Sequence, residues 1–186
     1  MEIKPWIILE SQTILSNKWL SVRADKCKIP ESDIIIDDFY VIERPDSVYI
    51  VPITRNLQVV LVKQYRHATG QIIYELPAGY INQGETPQQA AERELLEETG
   101  YVAKRTESLG MVYTSPAVLT NKSYMFLCRN LECQNDPQRE ITEKIELVTF
   151  GLDELVSIGI DDHIIVDANS VSALLLAYQR IMDNNE

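Results

Sequence analysis

Glu94, Glu97 and Glu98 stand at i, i+3 and i+4 in the stretch from Pro87 to Thr99, a spacing that puts three carboxylates on one face of a helix. The flanks predict that helix. Thr86 is its N-cap, Pro87 its first residue, Gln89 the closing member of a capping box, and Gly100 a left-handed stop. The carboxylates therefore crowd the C-terminal end, where the helix macrodipole is already negative. Only Arg93, four residues before Glu97, relieves the repulsion. A helix shaped for stability alone carries Lys or Arg there, so several local rules broken together point to a functional site. The missing partner is a hard divalent cation that prefers oxygen ligands, Mg²⁺ or Mn²⁺. A solvated acidic face is the bland alternative, and it leaves Gly79 and Glu85 ahead of the helix unexplained.

Residues 79–101 read GYINQGETPQQAAERELLEETGY. Gly79, Glu85, Arg93, Glu94, Glu97, Glu98 and Gly100 fall in the order G-x5-E-x7-R-E-U-x-E-E-x-G-U, with Leu95 and Tyr101 as the bulky apolar residues U. Seven fixed letters, each met at about one in fifteen, agree by chance on the order of once in 10^8 placements. The segment resembles the Nudix box, the signature of hydrolases that cut a diphosphate linked to a nucleoside. A diphosphate is polyanionic and repels an attacking water unless metals neutralise its oxygens and acidify the water. The resemblance implies that Glu94, Glu97 and Glu98 hold the metals, with the Ala78 carbonyl as a further ligand made accessible by the turn at Gly79. Arg93 and Glu85 are expected to orient the carboxylates. Ala90 and Ala91, one turn earlier, are expected to leave space for the phosphates.

Composition bounds the rest. The 186 residues suit one domain with room for a small appendage, and an apolar share of 45% supports a packed core. No run approaches the ~18 apolar residues of a membrane span, and the N-terminus lacks the length and flanks of a signal peptide. A formal net charge of -11 argues against nucleic acid and anionic membranes as partners. It does not argue against a small phosphate ester, because metals can carry the positive charge. Cys27, Cys128 and Cys133 follow no metal or redox spacing and read as free thiols of a reducing cytoplasm.

Positioning the acidic helix requires a sheet. Short strands are expected at 7–10, 19–27 and 39–43, then a hairpin of 48–53 and 59–65 around Thr54-Arg55-Asn56. Residues 74–76 lead into the helix, strands follow near 111–113, 123–128 and 145–150, and two helices close the chain. Val171, Leu174, Leu175, Tyr178, Ile181 and Met182 form one apolar stripe on the last helix, expected to be core. The natural architecture is α/β (α+β), a mixed sheet between helices. Residues 1–45 form a β appendage and 46–186 the catalytic domain.

Beyond the box, Gln64-Tyr65-Arg66, Glu75-Leu76-Pro77-Ala78-Gly79 and Pro116, fifteen residues past Tyr101, are similar to segments of ADP-ribose pyrophosphatases and sugar-nucleotide enzymes of that superfamily. The resemblance implies the Nudix fold, a homodimer in which the N-terminal strands help bind the nucleoside, and Mg²⁺-dependent cleavage of ADP-ribose to AMP and ribose 5-phosphate. GDP-mannose or another sugar nucleotide is the alternative substrate. A nucleotide-sugar sensor is the alternative of another class, disfavoured because every box carboxylate is present. Asn121 departs from the pattern: it is neutral where an acid is common. Glu143 is the first choice for the general base and Glu146 the second. Arg66 is expected to contact a phosphate, with pairing to Glu75 as its structural alternative. Arg44, Trp19 and Tyr40 can grip a nucleobase, although strand aromatics such as Trp19 and Tyr40 are more often core. His67 and His163 lack companions for a zinc site.

Overall fold

The computed structural model describes residues 2–135, 137, 144–157 and 164–183. Two compact units divide the chain after Pro45, and Tyr113–Lys122 joins the first unit rather than the second. The segment is recruited by backbone pairing: Ile42 donates to the Val118 carbonyl at 2.8 Å and its own carbonyl accepts from Thr120 at 3.2 Å.

The first unit is an antiparallel meander of β1 (Ile7–Ser16), β2 (Ser21–Lys28) and β3 (Ile35–Glu43), with β2 central. Its buried acid, Asp25, is satisfied by the Ser11 hydroxyl at 2.6 Å and by Arg23, which also reaches Glu43 at 3.1 Å. β1 is an edge strand exposed along all ten residues, leaving Ile7, Ile8, Leu9, Ile14 and Leu15 uncovered. Trp19 and Tyr40, expected as core, are 54% and 52% exposed. Three strands make one layer, and no second layer within this unit covers those rings.

The second unit is a mixed sheet. β4 (Ser47–Ile53), β5 (Gln58–Arg66), β8 (Tyr101–Tyr113), β9 (Lys122–Cys133) and β10 (Glu146–Gly151) run in the order β10-β5-β4-β9-β8. β4 and β9 are parallel, Ser47 opposite Ser123 through Ile53 opposite Arg129. The β4–β5 hairpin turns at Thr54, whose N–H donates to the Gln58 carbonyl at 2.9 Å, with Leu57 at φ 55. β4 and β5 pair only at Ile53 and Val59. Beyond that point β5 takes β6 (Gln71–Glu75) and β4 takes β7 (Ala78–Tyr80), so the chain crosses from one strand to the other just before the acidic helix.

Alternation along β4 and β9 builds two cores. Val48, Ile50, Phe126 and Cys128 face α1 (Pro87–Thr99), whose Ala90, Ala91 and Leu95 are fully buried against them. Val51, Ile53, Met125 and Leu127 face α2 (Leu152–Ser157) and α3 (Ala168–Asp183). Burial of Ala90 and Ala91 overturns their expected role in making room for phosphates: their small size lets α1 approach the sheet. The stripe on α3 is also rotated. Ala173, Leu174, Ala177 and Ile181 are buried, whereas Leu175 and Met182 lie on the solvent side. Size misled the sequence reading, since alanines at the contact allow close helix–sheet packing.

Candidate active site

The acidic helix is delivered by β7 and a capped loop. Gly79 pairs with Val48 and Tyr80 with Ser47, fixing the strand that precedes the loop. The Thr86 hydroxyl accepts from Gln89 N–H at 3.3 Å while the Gln89 side chain accepts from Thr86 N–H at 2.9 Å, the expected capping box. Gly100 adopts φ 75 at the other end. α1 has no acid in its first turn and no base in its last, the reverse of what its dipole favours.

Arg93 organises the face. Its Nε and Nη2 grip the two Glu85 oxygens at 2.9 and 3.0 Å, and Nη2 also donates to the Tyr80 carbonyl at 2.9 Å. Nη1 donates to Glu94 at 2.7 Å and to Glu97 at 2.9 Å. One guanidinium thus serves three carboxylates. Glu85 also accepts from the Asn82 N–H at 3.0 Å. Hydrogen bonding from Arg93 holds the Glu85 carboxyl below the usual carboxylate range, and Glu85 in turn raises the Arg93 guanidinium further above its already high value.

Glu98 is buried on the inner edge and accepts from the Ala78 N–H at 3.1 Å. Glu94 is pressed onto Gly79 so closely that a Cβ at residue 79 would overlap its carboxylate. Gly79 is not among the residues of positive φ. Glycine is required there by space, and the expected turn is replaced by a three-residue strand. Glu97 sits on the rim with its side chain 42% exposed.

These donors fit a hard cation by type: three carboxylates, of which Glu94 and Glu97 share Arg93 as counter-charge, beside the backbone of Ala78 and Gly79. They are held apart by Arg93 and the Ala78 amide, and among the described residues no three acidic, His or Cys side chains converge on a common metal position.

A second cluster lies where β5 meets β6. The buried Glu75 accepts from Arg66 Nε at 2.7 Å and from Gln64 at 3.1 Å. Burial raises the Glu75 carboxyl above its ordinary value and Arg66 opposes that shift. The Arg66 side chain remains 45% exposed, so the ion pair and an outward-facing fork coexist. Burial also pushes the nearby Tyr49 phenol up to about 12.

Sequence reasoning missed what fixes the approach to Ala78. The Ser170 hydroxyl accepts from the Leu76 N–H at 3.1 Å and donates to Asp167 at 2.8 Å, while Asp167 also caps α3 through the Ser170 N–H at 2.8 Å. Asp167-Ala168-Asn169-Ser170 ahead of an apolar run is a readable N-cap signal.

Glu143 lies outside the described residues, as does His163. Glu146 pairs across β5–β10 with Lys63 at 2.9 Å. Arg44, Pro116 and Asn121 belong to the first unit. Arg44 lines a cavity of about 210 Å³ with Trp19, Lys18 and Glu43. Pro116 is exposed, whereas Asn121 is buried with its Oδ1 lacking a hydrogen-bond partner among the described residues. His67 is exposed and packs edge-on against Tyr65.

Comparison with known proteins agrees with this geometry. The model of the NUDIX domain matches residues 43–169. An ADP-ribose pyrophosphatase of Bacillus subtilis (strain 168) is 27% identical over 168 residues, covering 89% of each chain. A methanol dehydrogenase activator of Bacillus methanolicus is 28% identical over 167 residues, again covering 89% of each. A solved structure described as an ADP compounds hydrolase superposes with a TM-score of 0.88 at 22% identity, covering 99% of this chain and 98% of its own. The sequence order of the box, the helix that carries it and the sheet that places it therefore lead to one assignment: the chain belongs to the Nudix family of hydrolases and has the Nudix fold.

Proposed function

We propose that the protein hydrolyses the diphosphate bond of a nucleoside diphosphate sugar, with ADP-ribose preferred and AMP and ribose 5-phosphate released, in a reaction requiring Mg²⁺ or Mn²⁺. The observation that carries this reading is the acidic face of α1, with Glu94 against Gly79 and Glu98 on the Ala78 amide. Glu94, Glu97, Glu98 and the Ala78 carbonyl would hold the cation. Bound there, the cation supplies charge neutralisation at the diphosphate oxygens and a more acidic water. Arg93 orients Glu94 and Glu97 by hydrogen bonds from one nitrogen, and Glu85 anchors Arg93 from the loop. The exposed part of the Arg66 fork is proposed to meet a phosphate oxygen, a reading supported by its 45% exposure while Glu75 holds its Nε. Glu143 is the proposed general base, preferred to Glu146 because Lys63 already engages the latter.

Support for the substrate comes from the relative named ADP-ribose pyrophosphatase, similar over nearly the whole chain. GDP-mannose is the second substrate reading, favoured by the neutral Asn121. Arg44, Pro116 and Asn121 are proposed to contact the nucleoside or sugar. The N-terminal segment, residues 1–45, is proposed to pair two copies through the exposed apolar edge of β1. The free Cys27, Cys128 and Cys133 support a reducing, cytoplasmic setting. No described helix is long and apolar enough to cross a membrane.

The test is a panel of ADP-ribose, GDP-mannose, UDP-glucose, NADH, diadenosine polyphosphates and nucleoside triphosphates with Mg²⁺, read by phosphate release after phosphatase coupling. ADP-ribose is expected to exceed every triphosphate by at least ~10-fold in kcat/KM, about 1.4 kcal/mol of transition-state discrimination. A triphosphate as best substrate overturns the reading.

A further inference from the structure

Glu107 on β8 is surrounded by guanidinium groups from three elements that the acidic face does not use. Arg105 and Arg129 each bring an Nη2 to its Oε2, at 3.2 and 3.4 Å, and Arg180 of α3 brings Nη1 to its Oε1. Strand alternation sets the face. Arg129 follows Leu127 by two residues on β9, and Leu127 packs with Leu174 and Ile181 of α3, whereas Phe126 and Cys128 face α1. The cluster is therefore on the opposite side of the sheet from the Nudix helix.

Two observations point to a ligand. Three guanidiniums share one carboxylate in a chain whose net charge is -11. Independently, the Arg129 Nε–H is buried with no hydrogen-bond partner among the described residues, a state that costs more for a charged donor than for a neutral one. Arg105 and Arg180 have side chains 60% and 43% exposed, so solvent reaches the cluster. Arg180 has other contacts besides Glu107, which leaves Arg105 and Arg129 as the pair most committed to the site. Planar N–H forks match the oxygens of phosphate better than they match chloride, a spherical anion.

We propose that Arg105, Arg129 and Arg180 form a second anion site, remote from the Nudix helix, that takes a phosphate oxyanion beside Glu107. The source is inorganic phosphate or the phosphate monoester released by the hydrolysis, the second resting on the proposed function. Glu107 acts as a built-in competitor, holding the arginines together when the site is empty of ligand and repelling the dianion that enters.

Thermal melting in EDTA tests this, because without divalent cations the acidic face of α1 has nothing to hold a phosphate. Inorganic phosphate, titrated against chloride at matched ionic strength, is expected to raise Tm saturably, with chloride inert. Glu107→Gln is expected to lower the half-saturating phosphate concentration about tenfold by removing one like charge, and Arg105→Gln or Arg129→Gln to flatten the response. Should Arg129→Gln not fold, the exposed Arg105 carries the test. Repetition in Glu97→Gln is expected to leave the phosphate response intact, separating this site from the first. AMP assigns the source: greater protection than phosphate identifies the released monoester, equal protection the free ion. Identical effects of phosphate and chloride in both wild type and Glu107→Gln overturn the proposal. So does a weaker phosphate response in Glu107→Gln, the result a purely structural ion-pair network gives.

Discussion

Gly79→Ala separates the catalytic geometry from the fold. An added Cβ occupies the space of the Glu94 carboxylate. That obstacle is the far end of a flexible side chain, so Glu94 swings away and the backbone stays. Glu94 then gives up its 2.7 Å bond to Arg93. A charge-assisted hydrogen bond contributes ~1.5–3 kcal/mol net. Much of that is recovered, because Glu94 gains water from a side chain only 13% exposed and Arg93 keeps Glu85, Glu97 and the Tyr80 carbonyl. The net cost is about 1 kcal/mol, a fall in Tm of roughly 2–4 °C for a chain of this size. Catalysis loses much more, since a displaced metal ligand costs on the order of 10²-fold, or about 2.7 kcal/mol of barrier. The assay pairs kcat/KM for ADP-ribose at saturating Mg²⁺ with thermal melting of the same preparation. Activity within about threefold of wild type refutes the placement of Glu94 at the reacting centre. A fall in Tm well beyond the range above refutes the claim that only the side chain moves.

Glu97→Gln keeps shape and removes one charge, so kcat falls ~10²-fold or more with folding intact; full activity at saturating Mg²⁺ removes Glu97 from the metal site. Arg66→Met takes away the partner that opposes the burial-driven rise at Glu75. A carboxyl whose folded pKa lies above its unfolded one is least unfavourable at low pH, and its contribution is lost as pH rises through the folded value. The drop in Tm between about pH 5 and about pH 7.5 should therefore be larger in Arg66→Met than in wild type, and an equal drop contradicts the assigned role. Burial pushes the Cys128 thiol up to about 12, and Cys27 is buried too, whereas Cys133 is exposed. Iodoacetamide is expected to label one thiol fast in the folded protein, with Cys133→Ser abolishing that phase; fast loss of Cys128 in that variant contradicts the packing of β9 against α1.

The Nudix helix could be read from local chemistry, because caps act within one turn and carboxylates at i, i+3 and i+4 share a face whatever surrounds them. The hairpin at Thr54 was legible for the same reason, whereas β8, expected only near 111–113, runs from Tyr101 to Tyr113. Tertiary structure decided what depends on a partner far along the chain. It gave Gly79 a spatial reason rather than a turn, since the obstacle is Glu94, fifteen residues later. It buried Ala90 and Ala91, moved Leu175 and Met182 out, and left Trp19 and Tyr40 exposed, because packing follows the distance between layers and not residue size. It drew Tyr113–Lys122 to the first unit through two backbone hydrogen bonds to Ile42, which carry no side-chain signature. Glu107 with Arg105, Arg129 and Arg180 shows the limit most plainly. Those charges are scattered over seventy-odd positions, and only strand pairing and the docking of α3 bring them to one carboxylate.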